Sequence, residues 1–320
     1  MKGYLDMHCD TLAKAFRLKH SDIWTVSEYM LDIERMKKSE MVGQFFAIFF
    51  PPKTDDMPED DIYFEKAREI LFHTIENHSE SIGFARNYQD FIDNQKNGKM
   101  SAFLTMEDGR AVQGSMERLE YFYQQGVRLI SLTWNYENCF GAPNSVHSDI
   151  MNRGLTSFGK EAIEVMNEWG ILIDVSHLSD GGFEDVMKIS KKPFVASHSN
   201  CRALSPHPRN LTDDMIRKLA EKGGVAGVNF APEFLDSDIK TKKSTIQNLT
   251  AHIKHFIEIG GVECVGLGTD FDGITGEFEI GEPEKMELLF EQLHREGISE
   301  TVIEKIAYKN VLRVIKDSMK

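Results

Sequence analysis

Short apolar or β-branched runs recur along the chain with amphipathic stretches between them, the pattern of a parallel sheet wound with helices. Eight runs read as strands: Tyr4 to His8, Val42 to Phe50, Ala102 to Glu107, Val127 to Trp134, Ile171 to Ser176, Phe194 to Ser197, Val225 to Phe230 and Val265 to Asp270. That count predicts an α/β fold closed into a (β/α)8 TIM-type barrel, with its active site at the C-terminal ends of the strands. The intervening stretches carry helix signals. Thr212 reads as an N-cap with Asp213 and Asp214 in the first turn, Ile216, Leu219 and Ala220 on one face, and Gly223-Gly224 as the stop. Ser244 to Gly261 reads the same way through Ile246, Leu249, Ile253, Phe256 and Ile257. Pro51 to Asp61 is the most loop-like stretch after a strand.

At 320 residues the chain is expected to form one barrel domain, residues 1–320, without linkers or low-complexity tracts. A formal charge of −14 argues against nucleic acid as a partner, because phosphate binders normally present a basic face. The four cysteines, Cys9, Cys139, Cys201 and Cys264, form no CxxC pair and do not resemble a secreted disulfide framework. The opening MKGYLDMHCDT lacks an apolar leader, and no later run approaches the ~20 apolar residues of a membrane span. A cytoplasmic protein without a membrane anchor is the expectation.

Polar residues close several of these apolar runs. His8 and Asp10 end the first and, by strand alternation, point the same way; Glu107, His177, His198 and Asp270 end the third, fifth, sixth and eighth. Each alone is an ordinary satisfied residue. Delivered together to the mouth of a barrel, they form suitable ligand and acid-base chemistry for a divalent metal.

The set also carries a family resemblance. The DxHxD opening, the isolated Glu107, the two histidines 21 positions apart, the stretch SPHPRNLTDD and the GTDFDG motif together resemble the membrane dipeptidases, a branch of the amidohydrolase-type barrels, from Leu5 to the closing Asn310 to Val314. The resemblance implies two divalent ions, zinc foremost, with His8, Asp10 and Glu107 on one and Glu107, His177 and His198 on the other. A bridging carboxylate suits ions ~3.5 to 4 Å apart, and a water shared between them becomes a nucleophile near neutral pH. Asp270 then falls where the family keeps its acid-base carboxylate, and Arg209 where it receives the C-terminal carboxylate of a dipeptide. The implied activity is hydrolysis of dipeptides with a free C-terminal carboxylate, L,D-dipeptides included, and family members are often homodimers.

One position departs from the pattern. Family members carry a histidine after strand four that steadies the carbonyl oxygen, whereas this chain reads Leu132-Thr133-Trp134-Asn135, with Trp134 in the matching place. An indole N–H donates one hydrogen bond but cannot become cationic, so oxyanion stabilisation is weaker, moved to another donor, or left to the metals. Asn135, Asn138 and His147 are candidates to substitute. Two other readings stay open: another amidohydrolase-type reaction on an N-acyl amino acid, lactone or cyclic amide, and a non-catalytic metal-binding barrel. Asp272 is expected to order a loop, Cys9 to be a buried thiol, and His207 to lie on loop surface. His73, His78, His252, His255 and His294 fall on outer helices.

Overall fold

Eight parallel strands close into a ring: β1 (Leu5–Cys9), β2 (Gly43–Phe49), β3 (Met100–Glu107), β4 (Val127–Ser131), β5 (Leu172–Asp174), β6 (Val195–Ala196), β7 (Val225–Val228) and β8 (Val265–Leu267). The structure, a computed structural model, describes residues 3–54, 57–238 and 243–320. The ring runs β2-β1-β8-β7-β6-β5-β4-β3, and pairing of β2 with β3 closes it. This is the (β/α)8 fold that the eight apolar runs predict. The first strand runs one residue past its predicted end, to Cys9, and the third ends at Glu107 as predicted, while the other six stop short at their C-terminal ends, where the residues beyond turn into the mouth loops. Two short additions were not predicted: Ile82–Phe84 pairs with the start of β3, and Lys243–Ser244 pairs with Glu277–Phe278.

Side-chain alternation sorts the core into two layers. On β2 and β3 the inner face stacks Phe45 on Phe103 with ring centroids 4.6 Å apart, while Phe46, Ile48, Leu104 and Met106 face the helix layer. The C-terminal helix Asn310–Ser318 sends Val311, Val314 and Ile315 into the same cluster as Phe45, Phe103, Leu5 and Met7. On β1 the alternation is interrupted. Asp6 pairs with Gln44 and Cys9 with Phe46, three residues against two, so a bulge lies just before the strand end.

The helix signals behave as their chemistry requires. Thr212 accepts a hydrogen bond from Met215 N and caps Asp213–Glu221, and Gly223 takes the left-handed turn after it at φ 72°. The later helix spans Ile246–Gly260, two residues inside the predicted start, because Thr245 is its cap. In the segment Pro51 to Asp61 a helix already begins at Asp60, and residues 55–56 lie outside the described residues. No helix among the described residues is long and apolar enough to cross a membrane.

Candidate metal and active site

Glu107 is the last residue of β3, and its inward parity with Phe103 carries the carboxylate into the mouth. There its two oxygens divide. Oε2 lies 3.3 Å from His8 Nε2, while Oε1 lies 3.1 Å from His177 Nε2 and 3.4 Å from His198 Nε2. On the other side His8 Nε2 is 3.8 Å from both Asp10 Oδ1 and Asp270 Oδ1. The structure therefore brings together all six residues that the strand ends suggested. His8, Glu107 and His198 form one group with convergent ligand atoms, and His8, Asp10 and Asp270 form another.

Two of the imidazoles, His198 and His177, are oriented from behind. Ser197 Oγ lies 2.7 Å from His198 Nδ1 and donates its hydrogen to Asp174 Oδ2 at 2.6 Å, which leaves the hydroxyl oxygen to accept from His198 Nδ1–H. Asp174 is fully buried and also accepts from Ser131 Oγ, Ser176 N and Ser197 N. His177 Nδ1–H donates to Asn135 Oδ1 at 3.2 Å. Burial, reinforced by positive neighbours that include Arg209, lowers both imidazoles below the ordinary histidine range, His177 to about 4, so they are neutral with Nε2 as an acceptor. Their Nε2 atoms lie 3.2 Å apart. Three acceptor atoms facing one another at these distances repel unless a cation sits among them.

The other side tells the same story through charge. Burial disfavours a charged His8, yet Glu107, Asp10 and Asp270 outweigh it and raise the imidazole to about 10. This spot favours positive charge, which a metal ion supplies as well as a proton does. His8 Nδ1 and Nε2 and Asp10 Oδ1 are buried with no hydrogen-bond partner, among the described residues, that would consume them. Nitrogen and carboxylate donors in two groups that share His8 fit divalent cations.

Backbone strain marks the same residues. His177 and Asp270 hold φ of 68° and 62°, a left-handed region costing non-glycine residues about 1–3 kcal/mol. Asn144 pins the first by donating to His177 O from both its backbone N and Nδ2. Gly273 makes room for the acids: a Cβ there would lie 2.3 Å from Asp10 Oδ2 and 2.5 Å from Asp270 Oδ1. Asn229 Nδ2 donates to Asp270 Oδ2 at 2.9 Å, which leaves Oδ1 toward the cluster. Burial pushes the Asp270 carboxyl up to about 7, with His8 opposing and Glu107 adding to the rise. Asn229, Asp174 and Ser197 were not singled out from the sequence. Asn229 lies inside the predicted run Val225 to Phe230 and directly follows the observed strand Val225–Val228, a polar residue at a strand end like the others.

Arg209 is 4 % exposed and sits beside the histidines. Nη1 donates to Ser199 Oγ at 2.6 Å and Nη2 to His198 O at 2.8 Å, while Nε has no partner and no carboxylate lies within ion-pair distance among the described residues. Burial lowers it to about 10, against the pull of Asp174, Asp270 and Glu107. It stays charged, and a buried guanidinium without a counter-ion among the described residues is suited to receiving an anion. His207 is half-buried rather than on the surface; its Nδ1 accepts from Arg209 N.

Trp134 is half-buried, with its ring 6.2 Å from that of His177. The three loop candidates for that position differ in their surroundings. Asn135 holds His177, Asn138 bonds Asp108, Leu132 O and Phe140 N, and His147 is exposed at the cap of a short helix. Asp272 accepts from Thr11, Lys14, Met30 N and Leu31 N, ordering the loop after β1. Cys9 is buried toward Phe45 O, away from the cluster.

Comparison with known proteins gives a consistent picture. Residues 3–320 match the membrane dipeptidase family, peptidase family M19. An uncharacterized dipeptidase of Schizosaccharomyces pombe is 32 % identical over 89 % of this chain and 71 % of its own length. Among solved structures, the dipeptidase AC, a metallopeptidase of family M19, superposes with a TM-score of 0.89 at 27 % identity, covering 99 % of both chains. A metallopeptidase from Rhodobacter sphaeroides, liganded with a phosphinate mimic of the dipeptide L-Ala-D-Ala, superposes with a TM-score of 0.88 at 26 % identity, again over 99 % of both chains.

Proposed function

The chain belongs to the membrane dipeptidase family and is a metal-dependent dipeptidase, and from that premise we propose that residues 1–320 act as one domain that cleaves dipeptides with a free C-terminal carboxylate, L,D-dipeptides among them. The observation that carries the reading is the division of Glu107: one oxygen toward His8, the other toward His177 and His198. His8, Asp10 and Glu107 would hold one cation, and Glu107, His177 and His198 the second, zinc being the foremost choice for such donors. When bound, the ions supply a Lewis acid for the scissile carbonyl and lower the pKa of water toward neutrality.

The chain's own residues do the rest. Arg209 receives the substrate carboxylate through the guanidinium edge that Ser199 and His198 leave free, which sets substrate length. Asp270, poised near neutrality and held by Asn229, takes the proton of the attacking water and returns it to the amine as that group leaves. Asn135 and Ser197 fix the imidazole tautomers so that Nε2 faces inward. The liganded Rhodobacter sphaeroides relative supports L,D-dipeptides as the substrate class. Four free thiols support a cytoplasmic location, and dimerisation rests on the family resemblance alone.

Trp134, in place of a histidine, favours a second reading in which the same site hydrolyses N-acyl amino acids or cyclic amides. A hydrolysis screen separates the two. Free L,L- and L,D-dipeptides, the same peptides amidated at the C-terminus, and N-acyl amino acids are offered to the zinc-loaded protein. Cleavage confined to free dipeptides is expected; turnover of amidated peptides at equal rates removes Arg209 from carboxylate recognition.

A further inference from the structure

One aromatic surface adjoins the site without a role in the chemistry above. Phe49 ends β2, pairs in register with Glu107, and shares the inner face with Phe45. It therefore points into the mouth beside the shared carboxylate, yet it is only half-buried. The indole of Trp134 leans on it with centroids 5.0 Å apart, and Tyr136, 57 % exposed, continues the surface at 5.8 Å from Trp134. A wall of three aromatic rings open to solvent leaves apolar area unburied, which is the condition that an apolar ligand group relieves.

Ring topology says which group that is. Arg209 is tied to the residues just after β6, and β6 lies four strands from β2 in either direction around the eight-stranded ring. Arg209 and Phe49 thus face each other across the mouth, with the Glu107 cluster between them. A dipeptide whose carboxylate meets Arg209 and whose amide lies over that cluster directs its N-terminal side chain onto Phe49, Trp134 and Tyr136. We infer that these three residues form the subsite for the N-terminal residue and select dipeptides with a large apolar or aromatic side chain there. The inference rests on the carboxylate being at Arg209.

The test is kcat/KM for L-Phe-D-Ala, L-Leu-D-Ala and L-Ala-D-Ala on the metal-loaded wild type, with the metal content of every variant measured alongside. The aromatic and leucyl peptides should exceed the alanyl one by about 10-fold or more, the scale of discrimination by an apolar pocket. Trp134→Ala and Phe49→Leu, assayed separately, should each lower the Phe-to-Ala ratio severalfold, mainly through KM. Equal rates for the three peptides, or preference for the small side chain, overturn the inference while leaving the dipeptidase assignment standing. A ratio unchanged in both variants overturns it too. Absence of any dipeptide cleavage sinks the proposed function along with it, and equal cleavage of C-terminal amides shows that the error lay in the placement of the carboxylate.

Discussion

Ser197 Oγ sits between two buried groups, 2.7 Å from His198 Nδ1 and 2.6 Å from Asp174. The hydroxyl relays the carboxylate's demand for a proton to the imidazole, so His198 keeps its proton on Nδ1 and its lone pair on Nε2. Ser197→Ala should weaken the metal position built on His177 and His198 by about 10- to 100-fold, the usual cost of losing such a partner. Competitive chelator titration measures it, and Ser197→Thr, which restores the hydroxyl, should recover most of the affinity. Unchanged affinity in the alanine variant would make the relay a packing feature only.

Glu107→Gln exchanges a carboxylate whose two oxygens can each face a cation for one oxygen and one amide donor. Metal content by mass spectrometry should fall at both positions rather than at one, because both donor groups depend on Glu107. Two ions retained per chain would show that the carboxylate does not bridge.

Asp270→Asn keeps the shape and the contact region of Asn229 but removes the proton acceptor. The expected result is unaltered metal content with kcat reduced by about 10²- to 10⁴-fold, the range for a lost general acid-base group. An active variant would move the proton shuttle to another residue.

Arg209→Met removes the buried guanidinium while keeping an unbranched side chain. For free dipeptides kcat/KM should fall about 100-fold, the equivalent of roughly 3 kcal/mol for lost charge-assisted hydrogen bonds. The slow turnover of C-terminally amidated peptides should change far less. Equal losses on both substrates would mean that Arg209 matters for holding His198 O and Ser199, its two present partners.

His252 offers a stability prediction away from the metal cluster. Fully buried, it accepts from Cys201 N through Nδ1 and donates through Nε2 to Leu235 O, so the fold requires its neutral form. Burial lowers its pKa to about 4, with the Leu235 contact opposing. The unfolded chain binds this proton below about 6.5 and the folded chain does not until about 4. Stability should accordingly fall as pH drops from about 6.5 toward 4, by about 1.4 kcal/mol per pH unit at most from this one group. Urea midpoints at pH 7 and pH 5 should differ less in His252→Gln than in the wild type.

The sequence by itself determined the strand count and the residues standing at the strand ends. Both are local properties: an apolar run declares a buried strand, and a polar residue closing it has to face the mouth or be stranded in the core. His8, Asp10, Glu107, His177, His198 and Asp270 were legible for that reason, and the family motif added Arg209. Even there, the bulge in β1 shows that simple alternation was not the whole cause of the approach of His8 to Asp10. What only the tertiary structure decided was pairing at a distance. Which oxygen of Glu107 meets which histidine, which way each imidazole carries its proton, and that Asp174 reaches His198 through Ser197 depend on neighbours tens of residues away in the chain. The lack of a carboxylate partner for Arg209 among the described residues and the placement of Phe49 across the mouth from it follow from ring closure. A one-dimensional pattern records which face a side chain takes, but not the strand it will find opposite.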